Sequence, residues 1–251
     1  IALAIAFFTS VTKTFTVTTA GETLSLITGA KSGSSSGFTK AGSGILLVSG
    51  TNTFTGAVTI SAGTLQAGSA TATGTTAGGL TITSGAVFDL KGQAVGAEAT
   101  TVSGTGISSG GAITNSSATA ATFSGALTYG SDVTVLTNNG NITLSGTEAN
   151  AGHTLTVDGS GSITISGVIS GTGNVIMNGT GTFTSSGRHS YTGTTTINSG
   201  VLKIGTTASS GNSPLGTVAG GTVVNSGGTL NLNDTSLGQA EPLIINGVGV
   251  S

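Results

Sequence analysis

The chain has no cysteine and no tryptophan, only two prolines, and just six basic and eight acidic side chains in 251 residues. Without cysteine there is neither a disulfide framework nor a thiolate metal site. The few charges are spread singly and sum to −2. That excludes a basic stripe for nucleic acid and a polybasic patch for lipid headgroups. Low charge also sets the chain apart from disordered sequences, which combine high charge with low hydropathy; the mean hydropathy here is +0.36. No heptad of apolar residues runs long enough for an amphipathic helix. The one apolar run of note, Ile1 to Phe8, is too short to span a bilayer. It also lacks the preceding basic segment of an intact signal peptide.

What is present is glycine, 45 residues of it, and Ser plus Thr at roughly a third of the chain, above typical usage. Thr, Val and Ile favour strands, whereas Gly, Asn and Ser favour turns. Short apolar–polar–apolar triplets recur: Leu24-Ser25-Leu26, Val58-Thr59-Ile60, Leu80-Thr81-Ile82, Phe88-Asp89-Leu90, Val133-Thr134-Val135, Ile142-Thr143-Leu144, Leu155-Thr156-Val157, Ile163-Thr164-Ile165, Leu202-Lys203-Ile204 and Leu230-Asn231-Leu232. In a strand the outer pair of each triplet points one way and the middle residue the other. Leu24 to Leu46, Val58 to Leu80 and Val133 to Leu155 share one offset, 46 − 24 = 22. Ile142 to Ile163 gives 163 − 142 = 21, and Leu155 to Val175 gives 175 − 155 = 20. A strand that returns about every 21 residues, with one or two others between, predicts the coil of a parallel β-solenoid. About a dozen such coils would fit the chain. Inward aliphatics would stack in ladders, with Leu46, Val58, Ile60, Leu65, Ile163, Ile165, Ile197 and Leu202 in the structural core. Outward Thr59, Thr81, Thr134, Thr143, Thr156, Thr164 and Thr196 would form polar ladders.

A longer period lies above the coil. Gly50 to Gly68 returns at Gly187 to Gly205, an offset of 187 − 50 = 137, with Phe54 finding Tyr191. Ala20 to Leu24 matches Ala151 to Leu155 at an offset of 131, and Gly78-Gly79 with Ser84-Gly85 matches Gly220-Gly221 with Ser226-Gly227 at 142. Loop insertions would produce such a drift. The expected organisation is residues 1–19 as an N-terminal strand, cap or donor strand, then residues 20–251 as a single β-helix of two imperfect passes, 20–150 and 151–251. Ser251 falls inside the pattern, which predicts continuation in a longer polypeptide or completion by a neighbouring molecule. In Ile1 to Phe8, the large residues Ile1, Leu3, Ile5 and Phe7 alternate with small ones, giving a strand with one bulky face. It would cap the core or add as a donor strand to the edge of a neighbour.

The stretch G-S-G-I-L-L-V-S-G-T-N-T-F-T-G-A-V-T-I-S-A-G-T-L, Gly42 to Leu65, resembles the passenger-associated repeats of bacterial autotransporters. Gly179 to Leu202 is a looser copy, with Arg188-His189-Ser190-Tyr191 in place of the N-T-Y region. The resemblance covers nearly everything from Ala20 onward. It implies a right-handed parallel β-helix, export across the inner membrane and display at the surface of a Gram-negative-type bacterium. Absence of cysteine suits a chain that stays unfolded during export. The sequence shows no run of lipid-facing alternating strands of the kind an outer-membrane barrel needs.

Residues that could carry chemistry are sparse. Gly33-Ser34-Ser35-Ser36-Gly37 matches the nucleophile elbow in form, but that motif needs a strand–turn–helix and a nearby His and acid; here a flexible loop is expected. His153 and His189 fall in turn-like segments without a metal-binding partner at the right spacing, and are read as surface residues. The eight carboxylates are scattered, and spacings such as 158 − 132 = 26 do not fit the coil. A glycan-cleaving pair is therefore not expected. The sequence predicts an all-β, non-enzymatic, extracellular structural solenoid without catalytic, cofactor-binding or metal residues and with no cofactor. Its role would be a fibre, or the stalk of a surface adhesin, with end-to-end or strand-adding self-association. A glycan- or host-surface-binding module is the alternative, and a polysaccharide-degrading enzyme comes third. Neither a nucleic-acid partner nor a membrane span is expected.

Overall fold

The computed structural model describes residues 12–26, 35–209, 211–237 and 239–247. Ile1, Leu3, Ile5 and Phe7 lie outside the described residues. Every ladder is parallel, and the few antiparallel contacts among the described residues are isolated bridges around Ser209–Gly216. The described elements are almost all strands, joined by short turns, with one 3₁₀ turn at Ile107–Ser109. No helix of the described residues is long and apolar enough to cross a membrane.

The chain winds over three faces in fixed order. The first face begins with Lys13–Thr16, Phe38–Ala41, Val58–Ile60 and Leu80–Ile82 and runs on through Thr100–Gly104, Glu148–Ala149 and Ile169–Ser170. The second runs from Thr23–Leu26 through Ile45–Val48, Gly63–Ala67 and Ala86–Asp89 up to Leu243–Asn246. The third starts at Ala94–Val95 and ends at Gly228–Asn231. The long strand Leu127–Leu136 bends across the corner and serves both the first and second faces. Among the described residues eleven coils contribute a strand to the second face. The shortest step joins Leu46 to Leu65 (65 − 46 = 19) and the longest joins Ile197 to Val224 (224 − 197 = 27). Ten steps at about 4.8 Å give a stack roughly 48 Å long.

The registers read from spacing are those observed: Leu24 pairs with Leu46, Val58 with Leu80, Val133 with Leu155, Ile142 with Ile163, and Leu155 with Val175. Strict alternation places one aliphatic set inside. On the third face Ala121, Ile142, Ile163, Phe183 and Leu202 stack coil upon coil, as do Phe123, Leu144, Ile165, Ser185 and Ile204. Leu46, Val58, Ile60, Leu65, Ile163, Ile165, Ile197 and Leu202 are all buried. Outward, Thr122, Thr143, Thr164 and Thr184 form one threonine ladder. Asn178, Asn198, Asn225 and Asn246 form an amide ladder, each donating to the Oδ1 of the one before at 2.7, 2.7 and 3.2 Å. Three triplets depart from the pattern: Asp89 and Thr134 are buried where the middle residue should face water, and Leu232 lies past its strand and is exposed.

The two copies of the repeated motif occupy different faces. In the first, Ile45–Val48 and Gly63–Ala67 stack on the second face and Val58–Ile60 lies on the first. In the second, Thr182–Ser185 and Gly200–Ile204 stack on the third face and Thr195–Ile197 lies on the second. The change in offset from 131 to 137 has this origin. Leu24 to Leu46 is one coil (46 − 24 = 22), whereas the equivalent Leu155 to Phe183 (183 − 155 = 28) is one coil plus one face. Insertion of one strand with its corner, rather than of a loop, turns the motif onto the next side of the prism. The further change to 142 is a longer connection within one face: Val58 to Leu80 is one coil of 22, and its equivalent Thr195 to Thr222 is one coil of 222 − 195 = 27.

Candidate functional site

The interior of the first face and the corner after the second hold the polar groups that a solenoid core would normally refuse. Lys40 is wholly buried, and its ammonium donates to the carbonyls of Ala41, Gly42 and Ala62 at 2.9, 2.7 and 3.0 Å. Three acceptors satisfy three protons, so the site is saturated. Burial nonetheless pulls this amine down to about 8. Asp89 caps the corner after its strand: it accepts from the amides of Lys91 and Ser116, the Ser116 hydroxyl and the Gln66 amide at 2.5 to 2.9 Å. Glu98 takes the Thr73 hydroxyl at 2.5 Å, and Glu148 takes the Tyr129 hydroxyl. Burial raises both carboxyls, Glu148 to about 7.

His189 is a correction to the sequence reading: it is buried, not a surface turn residue. Its Nδ1 accepts the Ile169 amide proton at 3.0 Å, so the ring proton sits on Nε2, 2.7 Å from Ser185 Oγ. Ser185 in turn donates to the Pro214 carbonyl at 2.6 Å. The polarity is opposite to that of a serine nucleophile and its base, because the imidazole is already donating where it would have to accept. Burial drives the imidazole down to about 3, so it stays neutral. The repeat explains its presence. His189 takes the place of Asn52 in the second copy (189 − 52 = 137). Asn52 is also buried and donates its amide to the carbonyls of Gly50 and Thr71 at 3.2 and 2.8 Å. Both residues tie down the loop that carries a buried ring, Phe54 in one copy and Tyr191 in the other.

His153 behaves as expected of a surface residue. It is half-exposed and lies 3.9 Å from the exposed Asp132, a contact that is ionic only when the imidazole is protonated. Among the described residues no three His, Asp or Glu side chains gather as a metal-holding group. Of the nucleophile-elbow match, Gly33 and Ser34 lie outside the described residues, and Ser36 is buried. A concavity of about 300 Å³ opens between the second and third faces, lined by Val224, Gly228, Leu230 and Ile245 with Asn225 and Thr229, and contains no titratable side chain. The described aromatic rings are all buried, so none offers a stacking platform for a sugar.

Sequence reasoning missed Glu148 and Lys40 as interior residues, yet the signal was there. Glu148 stands one coil from each of its ladder partners, Leu127 (148 − 127 = 21) and Ile169 (169 − 148 = 21). Lys40 alternates with buried Phe38 in one strand and lies level with Ile60.

Comparison with known sequences agrees with this architecture. The family of passenger-associated-transport repeats matches residues 38–67 and 170–204. The two matches enclose the glycine-rich copies Gly42–Leu65 and Gly179–Leu202. The chain carries autotransporter passenger repeats. It is also 31% identical over 165 residues to the adhesin BmaC autotransporter of Brucella suis biovar 1 (strain 1330). That alignment covers 65% of this chain and 4% of the relative, so the chain spans only a small part of that protein's length. No solved structure matches. Autotransporter passenger sequence is exported and lies at the Gram-negative cell surface, and this chain is assigned there with it.

Proposed function

We propose that this passenger sequence is a section of the stalk of a surface adhesin, a stiff rod whose work is mechanical. The observation that carries the reading is the unbroken parallel stacking of eleven strands on one face over a sealed aliphatic core. Every coil is held to the next by backbone hydrogen bonds along the second face, the middle coils along the first and third faces as well, and stacked Leu46, Leu65, Ile163, Ile165, Ile197 and Leu202 supply the rigidity. The relative bears the name adhesin, and a stalk that holds a binding region away from the cell suits that role. Saturated or sealed polar groups favour a non-catalytic chain.

The test is to display the chain on a cell between an outer-membrane anchor and an epitope tag. A stalk moves the tag outward in proportion to the number of coils retained and confers no adhesion by itself. Saturable binding to host cells or a glycan panel, lost on replacing Thr122, Thr143, Thr164 and Thr184, would support the binding-module reading instead.

A second reading, filament growth, has one supporting observation. Leu243–Asn246, the last described strand, exposes Leu243, Ile244 and Ile245. Strand addition by the alternating Ile1, Leu3, Ile5 and Phe7 of another copy would cover it. Sedimentation of the chain with and without residues 1–8 separates the cases: filaments lost on deletion support donation, and a monomer in both preparations removes it.

A further inference from the structure

Glu148 lies in register between Leu127 one coil below and Ile169 one coil above, and it is buried. Tyr129 donates its hydroxyl to Oε2, while Oε1 has no hydrogen-bond partner among the described residues. The strands that flank Glu148–Ala149 in the ladder are Leu127–Leu136 and Ile169–Ser170. The first brings two titratable groups, Tyr129 and Asp132; Asp132 is exposed and turned to His153 and the Thr154 amide. The second brings none, and the Ile169 amide is held by neutral His189. Among the described residues this carboxyl forms no ion pair, and burial and the Tyr129 hydroxyl are the influences on it. Glu98 repeats the arrangement: it is buried, with one oxygen on the Thr73 hydroxyl and Oε2 without a partner.

A buried carboxylate with one neutral donor and an orphaned oxygen is costly, whereas the protonated acid is tolerated. We propose that Glu148, with Glu98 in support, is an acid-set latch: protonated it lets the coils between residues 127 and 170 close on one another, and ionised it loosens them. Mildly acidic surroundings then tighten the middle of the rod, and neutral to alkaline surroundings soften it, without any change at the aliphatic ladders of the second and third faces.

The direction follows from linkage. The folded carboxyl holds its proton up to about 7, against 4.5 for the ordinary group. The folded state thus binds the proton more tightly, so stability is greatest below 4.5, falls as pH rises to about 7, and is level above that. A separation of that size corresponds to about a 300-fold change in the local opening equilibrium.

Hydrogen exchange on the purified full chain tests this, with intrinsic rates removed. Opening of the amides at 127–129, 148–150 and 169–170 should grow up to 300-fold between pH 4.5 and 7.5, while those at Ile163–Ile165 stay flat. In Glu148→Gln the profile should lose that slope. Identical slopes in both proteins would overturn the latch. If the variant fails to fold, the wild-type infrared difference between pH 6 and pH 8 decides. A buried protonated carboxyl band present at pH 6 and lost at pH 8 supports the proposal, and its absence at pH 6 refutes it.

Discussion

The two copies of the passenger repeat differ in where they sit and agree in how they are built. Gly63 and Gly200 both turn the corner into the last strand of the motif, with φ of +68° and +67°. A Cβ on Gly63 would lie 2.3 and 2.4 Å from the carbonyl oxygens of Gly42 and Gly44; on Gly200 it would lie 2.4 and 2.6 Å from those of Gly179 and Gly181. These are the same atoms at the offset of the repeat, 200 − 63 = 137, although one corner joins the first face to the second and the other joins the second to the third. The motif therefore encodes a corner and the strand that must lie beneath it, not a side of the prism. What varies between copies is the buried loop. Phe54 packs edge-on to Phe38 with centroids 5.8 Å apart, while Tyr191 shares a hydrogen bond of 2.5 Å with Thr195 Oγ1.

The comparison can be broken most forcefully at the glycines. Gly63→Ala and Gly200→Ala should each cost about 3 kcal/mol or more in denaturant unfolding, since both force a side chain into left-handed backbone and against carbonyl oxygens. Unequal losses would show that the corners are not equivalent. Leu65→Ala and Leu202→Ala, matched core positions on different faces, should each lose about 2–5 kcal/mol. A smaller effect is expected where the copies diverge. His189→Leu strands the Ile169 amide and removes the imidazole donor to Ser185 Oγ, and should cost about 2 kcal/mol. His189→Asn restores the residue found in the first copy and should cost less than about 1 kcal/mol; a loss as large as that of leucine would break the equivalence with Asn52. Tyr191→Phe should cost about 1 kcal/mol for the Thr195 bond. Thr143→Ala, on the outer ladder, should stay within about 0.5 kcal/mol by thermal melting.

The fold was legible because a solenoid writes its contacts into the spacing of its sequence. Leu24 and Leu46 are neighbours in space because one coil of chain, 46 − 24 = 22, separates them. The prism's sides were not legible in the same way. An offset of 131 or 137 looks like a loop of variable length until Phe183 is seen on the third face and Leu46 on the second. The interior polar groups were harder still. Lys40 and Glu148 belong to residue types that are usually exposed, and His189 to one of intermediate burial. Spacing places Glu148 and Lys40 on the inward side, but whether such a group is accepted there depends on which carbonyls, hydroxyls and amides lie opposite, and spacing carries no information on that. Asn52 and His189 could have been paired through the repeat, yet the exchange of an amide for an imidazole hides the shared task of holding a loop.

The turning of the second copy onto a new face can be tested by cysteine pairs in a chain that has none of its own. Thr196 is in register with Ile176 on the second face. Were the second copy placed as the first is, Thr196 would instead continue the first face above Ser170. Ile176→Cys with Thr196→Cys should therefore close a disulfide under mild oxidation, and Ser170→Cys with Thr196→Cys should remain reduced. The reverse outcome would contradict the three-sided account.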